Sequence, residues 1–135
     1  MSMELKVGDK YMETVIFSGE QVKQFSELSG DMNPIHTNAE YAANTSFKKC
    51  IVPGILACSI FSKMIATSFP GTGSVYLDQS VSFKNPVYPN EDCTAIITVL
   101  DKRTTSKGRL IYKMRLLLTN KEGQILIEGT TTVLN

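Results

Sequence analysis

Pro53-Gly54-Ile55-Leu56-Ala57-Cys58-Ser59-Ile60-Phe61-Ser62-Lys63-Met64-Ile65-Ala66-Thr67-Ser68 carries the strongest helical pattern in the chain. Ile55, Leu56, Ile60, Phe61, Met64 and Ile65 place apolar bulk on more than one side, while Ala57, Cys58 and Ser59 are small. A helix apolar around its circumference is usually buried rather than laid on a surface. The stretch predicts one long buried helix from Gly54 to about Ser68. Pro53 suits its first position, where the missing N–H costs nothing, and Phe69-Pro70-Gly71 ends it.

On the C-terminal side of this helix the pattern turns to β. Val75 to Phe83 and Cys93 to Leu100 are strand-like, separated by the Asn85-Pro86 break. Leu110, Tyr112, Met114, Leu116 and Leu118 then alternate with polar positions, the signature of a half-buried strand. Lys121-Glu122-Gly123 predicts a hairpin turn into Gln124 to Leu134. On the N-terminal side a strand is expected near Tyr11 to Phe17. A helix from about Gly19 to Leu28 should follow, capped by Ser18, with Val22, Phe25 and Leu28 on one face. Thr37-Asn38-Ala39-Glu40 has the form of a capping box, predicting a short helix from there to about Asn44. The sum is α+β: an antiparallel sheet with one long helix against it.

Composition bounds the function. With 135 residues, 42% apolar and 20% charged, the chain is expected to be a single soluble domain spanning 1–135. A net charge of +1 offers no footprint for nucleic acid or an acidic membrane. The densest basic cluster, Lys102, Arg103, Lys107 and Arg109, surrounds a glycine and reads as a solvated hairpin turn. No apolar run approaches the ~20 residues that span a bilayer, and the N-terminus has charges where a secretory signal would be apolar. Cys50, Cys58 and Cys93 make no C-x-x-C pair, which argues against a disulfide framework or zinc site; they are expected in the core, and the cytoplasm fits. A single histidine excludes a multi-histidine metal site.

The chemistry concentrates in Ser29-Gly30-Asp31-Met32-Asn33-Pro34-Ile35-His36. A carboxylate and the only histidine lie five positions apart across a segment that cannot continue a helix. Pro34 lacks an N–H and pushes Asn33 out of the α region, and Gly30 opens backbone angles closed to other residues. The stretch is expected to be a bent loop able to turn Asp31 and His36 toward one point. A carboxylate and an imidazole within reach of one water make a general acid–base pair.

This loop ahead of the long helix resembles the MaoC-like hydratases, the (R)-specific enoyl-CoA hydratases with a hot-dog fold. The run Ile51-Val52-Pro53-Gly54-Ile55-Leu56-Ala57-Cys58-Ser59-Ile60-Phe61-Ser62 is similar to the opening of the family's helix. Gly73-Ser74-Val75-Tyr76-Leu77 to Ser82-Phe83-Lys84-Asn85-Pro86-Val87 is similar to the strand and turn that follow it. The likeness runs over essentially the whole chain. It is greatest to the short bacterial members that supply (R)-3-hydroxyacyl-CoA for polyester synthesis. One departure stands out: many members have histidine where this chain has Pro53, before the retained Gly54.

The resemblance implies hydration of a trans-2-enoyl thioester, with no cofactor beyond the coenzyme A of the substrate. Asp31 and His36 would hold the water and share the proton transfers, the division between them left open. The Gly54 N–H, at a helix N-terminus, would meet the developing oxyanion. Asn33 would fix the loop, by bonding backbone or by orienting Asp31. Ser62 and Ile65 would line the acyl pocket, and Lys48 and Lys49 are taken as a solvated loop rather than a phosphate site. The fold also implies a homodimer, with higher association open, and pairing would remove an edge-strand liability. Two alternatives compete. A hot-dog acyl-CoA thioesterase usually carries a carboxylate on or near the long helix, and Gly54 to Ser68 has none. A non-catalytic acyl-CoA-binding sensor needs an output domain, for which 135 residues leave no room.

Overall fold

The architecture, described for residues 3–135 by a computed structural model, is built on alternation and length. In order come β1 (Lys10–Ile16), α1 (Gly19–Ser29), α2 (Pro34–Thr37), α3 (Ala39–Ala43), α4 (Gly54–Thr67), β2 (Val75–Phe83), β3 (Asp92–Thr104), β4 (Leu110–Asn120) and β5 (Ile125–Leu134). The five strands form one sheet in the order β1-β3-β4-β5-β2, with every neighbouring pair antiparallel. β1 and β2 are therefore its edges.

The sheet presents one face to α4. Tyr112, Met114, Leu116 and Leu118 of β4 alternate inward and are fully buried, as are Ala95, Ile97 and Val99 on β3. Against them lie Ala57, Phe61, Met64 and Ile65 of α4, in one cluster that also holds Ile127 and Val133 of β5. Burying each such large side chain contributes about 1.5–3 kcal/mol relative to leaving it in water. The Tyr112 hydroxyl has a partner too, accepting the Leu5 N–H at 3.0 Å.

Several expectations need correction. α4 is not covered all round: Ile55 is 70% exposed, and Ser59, Ser62, Lys63 and Ala66 face outward. Those four lie at i, i+3, i+4 and i+7, one stripe of a 3.6-residue helix, and the sheet covers only the opposite side. Pro53 is the N-cap rather than the first helical residue, with φ −55° and ψ 132°. On α1, Ser18 does cap, reciprocally with Gln21. Leu28, however, is 87% exposed, because two three-residue steps carry it roughly 120° around from Val22. The buried stripe runs through Val22 and Ser26 instead.

The Thr37 capping box does not form. Pro34 starts a one-turn helix that includes Thr37, and a residue in helical conformation cannot be an N-cap. Asn38, with φ −111° and ψ 104°, takes the role, its Oδ1 accepting the Tyr41 N–H at 3.0 Å. β3 runs past Leu100 to Thr104; the register shifts between Val99 and Asp101, leaving Leu100 exposed. Of the cysteines, Cys58 and Cys93 are core residues, but Cys50 is only half-buried.

Candidate active site

The loop between α1 and α2 is held by short-range hydrogen bonds from its own polar side chains. Gly30 ends α1 in the left-handed region at φ 80°, its N–H donating to the Ser26 carbonyl at 2.9 Å. That conformation costs glycine little, and it turns the chain sharply off the helix axis. Ser29 Oγ donates to the Phe25 carbonyl at 2.7 Å and accepts the Asp31 N–H at 3.1 Å, tying Asp31 to the end of α1. The Asp31 carboxylate accepts the Asn33 N–H at 3.2 Å. The Asn33 side chain accepts the Ile35 N–H at 3.4 Å and caps α2, with Pro34 at the first helical position. So the expected bent loop is a turn followed by one turn of helix, and the helix carries His36.

His36 is fixed from the other side. Its Nδ1 lies 2.8 Å from the Ile51 carbonyl oxygen. A carbonyl can only accept, so Nδ1 carries the hydrogen and the neutral ring keeps its free lone pair on Nε2. The Ile51 N–H returns a bond to the Ile35 carbonyl at 3.2 Å, and the Val52 N–H reaches the Val87 carbonyl at 2.7 Å. One backbone carbonyl thus holds the imidazole, and the segment that supplies it is itself bonded to Ile35 and Val87, just ahead of the opening of α4.

His36 and Gly54 line the same cavity of about 480 Å³, together with Phe47, Ile51, Val52, Ile55, Phe83 and Val87. Its volume is in the range of small-molecule sites. The walls are largely apolar, with His36, Lys84 and Asn85 supplying the polar side chains. α4 opens without a side-chain cap, which leaves first-turn N–H groups to whatever occupies this end of the cavity. Pro53 preserves that opening, its carbonyl accepting the Ala57 N–H at 3.0 Å.

The other expected site residues are spread more widely. Asp31 is exposed and outside the lining of this cavity, in the same tied loop as His36. Ile65 is buried in the core and Ser62 is exposed on the outer side of α4; neither lines the cavity. Lys49 pairs with Glu91 at 3.3 Å and lies 4.5 Å above the Tyr88 ring. Sequence reading overlooked two parts of the site. One is the Ile51 carbonyl, for which a backbone atom gives no residue-type signal. The other is Phe83, whose only signal was an aromatic closing β2 just before Lys84-Asn85-Pro86. No group of three or more His, Cys, Asp or Glu among the described residues could hold a metal ion.

The chain is 41% identical over 132 residues to the (R)-specific enoyl-CoA hydratase of Aeromonas caviae, an alignment covering 98% of this chain and 96% of that protein. It is 34% identical over 130 residues to a mitochondrial 3-hydroxyacyl-[acyl-carrier-protein] dehydratase of Solanum lycopersicum, covering 96% and 77%. The solved structure of the A. caviae (R)-hydratase involved in PHA biosynthesis superposes with a TM-score of 0.89 at 34% identity, covering 98% of both chains. The five-stranded sheet with its long helix is accordingly the hot-dog fold. The profile of the MaoC like domain matches residues 5–119, and the chain belongs to the MaoC-like family.

Proposed function

We propose that the protein is an (R)-specific enoyl-CoA hydratase, adding water reversibly to a trans-2-enoyl-CoA to give the (R)-3-hydroxyacyl-CoA, without a cofactor. The observation that carries this reading is that His36, its imidazole held by the Ile51 carbonyl, lines the same largely apolar cavity as the start of α4, which no side chain caps. A water between His36 Nε2 and the Asp31 carboxylate adds its oxygen to C3 as a proton passes to this pair. The electron pair of the double bond moves toward the thioester, and the Gly54 N–H stabilises the enolate oxygen. The pair returns a proton to C2. Removing one oxyanion donor costs about 2.7–4 kcal/mol in well-studied cases.

Asn33 acts by shaping the loop, through its cap on α2 and its N–H on Asp31. Ser62 points outward, so a contact between it and the acyl chain requires a second copy over α4. A homodimer would supply that copy. The β2 edge supports one: among the described residues it is unpaired on its outer side, it exposes Val75 and Leu77, and it ends on the exposed Phe83 that lines the cavity. Coenzyme A is the preferred carrier because the relative whose name is enoyl-CoA hydratase matches over 96% of its length. Free thiols at Cys50, Cys58 and Cys93 suit the cytoplasm, and no helix among the described residues is long and apolar enough to cross a membrane. The absence of Asp and Glu from α4 weighs against thioester hydrolysis.

The test is hydration of crotonyl-CoA, followed by loss of enoyl absorbance and chiral analysis of the product. Formation of the (R)-3-hydroxy thioester is expected. Release of free thiol without hydration would overturn the reading.

A further inference from the structure

Gly54 is glycine for a reason that the backbone does not supply, since it sits at an ordinary helical start. The reason is space. An ideal Cβ built on residue 54 would lie 2.5 Å from Cε1 of Phe83, 2.8 Å from Cδ1 and 3.0 Å from Cζ. The Phe83 ring therefore rests directly against the backbone that opens α4. Both residues line the cavity that His36 also lines. Phe83 is the last residue of β2, and the chain behind it is anchored: the Lys84 N–H donates to the Leu126 carbonyl at 2.8 Å, and Asn85 Nδ2 to the Ile125 carbonyl at 2.7 Å. The backbone beneath the ring is anchored, and Phe83 as a residue is 53% exposed, so the ring has open space on its outer side.

We propose that Phe83 is a positioning residue for the reaction: its ring, seated on Gly54, is the wall that sets where a thioester carbonyl can meet the Gly54 N–H. The inference rests on the hydratase reading of the site. On this account an alanine at 54 keeps the N–H donor and harms the reaction indirectly. Its methyl group drives the ring out of place, so the donor survives and the wall does not. The ring and the glycine act as one unit.

Unit behaviour is measured by a double-mutant cycle. The rates to compare are crotonyl-CoA hydration by wild type, Gly54→Ala, Phe83→Ala and the double variant, each with its thermal melt. Each single change should lower kcat/KM by about tenfold or more while the fold persists, and the double variant should match the worse single. Phe83→Tyr, which keeps the ring, should retain activity within about threefold. Phe83→Leu, which keeps apolar bulk without the ring, should fall with Phe83→Ala and serves in its place if the alanine protein does not fold. Wild-type kcat/KM in Phe83→Ala or Phe83→Leu, or losses that multiply in the double variant, would overturn the proposal. An inactive wild type would instead sink the hydratase reading itself, so the two failures are told apart.

Discussion

Replacing Asp31 by asparagine separates chemistry from structure, because the site ties Asp31 down with bonds that asparagine can also make. The Asp31 N–H donates to Ser29 Oγ at 3.1 Å, and a side-chain oxygen accepts the Asn33 N–H at 3.2 Å. Asn at 31 retains both, loses the negative charge and loses the ability to take a proton. The side chain is exposed, so even complete loss of its one hydrogen bond would cost no more than about 0.5–1.5 kcal/mol of stability. A general acid–base group is worth about 10²–10⁴ in rate, or about 2.7–5.4 kcal/mol in the barrier at 1.36 kcal/mol per tenfold. The catalytic effect should therefore exceed the structural one severalfold. The assay is steady-state hydration of crotonyl-CoA beside a circular-dichroism melt on the same preparation. Expected is a kcat lowered by at least a hundredfold with a near-native melt. A folded Asp31→Asn protein hydrating within threefold of wild type would refute the argument, leaving Asp31 as a turn residue.

Other outcomes are expected from the framework. Tyr112→Phe strips the partner from the buried Leu5 N–H and should cost about 1–3 kcal/mol in denaturant unfolding, with hydration by the folded protein intact. Asn38→Ala removes the cap of α3 and should destabilise by about 1 kcal/mol, whereas Thr37→Ala, no longer a capping residue, should cost less; paired melts decide. Burial, reinforced by Glu91 and Asp92, raises the Cys93 thiol from 9.0 to about 11, and burial with Cys58 nearby raises the Tyr76 hydroxyl from 10.0 to about 12. Each group holds its proton in the folded protein at a pH where the unfolded chain has lost it. Their stabilisation is complete below pH 9 and is lost as pH climbs through 11 to 12. Unfolding free energy should fall across that window, less steeply in Cys93→Ala, and a flat profile would contradict the shifts.

Periodicity alone settled the elements whose physics is local. β4 alternates every second residue because Tyr112, Met114, Leu116 and Leu118 must all face one core, and a period of two has no helical reading. α4 announced its start through Pro53 and Gly54, and the loop from Ser29 to His36 declared its turn through glycine, asparagine and proline. Those signals live in a few adjacent residues. What sequence could not supply was anything that depends on who stands opposite. Ser62 lies on the open side of α4 and Ile65 in its core because the sheet covers a single face, a matter of strands up to seventy residues away. Asn38 took the cap from Thr37 because Pro34 had already committed Thr37 to a helix. His36 owes its tautomer to the carbonyl of Ile51, fifteen residues on. Gly54 owes its missing side chain to the ring of Phe83, which arrives from the end of β2. The carboxylate and the imidazole of the loop were written in the chain; the surroundings of the imidazole came only with tertiary packing, which alone brings distant backbone and rings into contact.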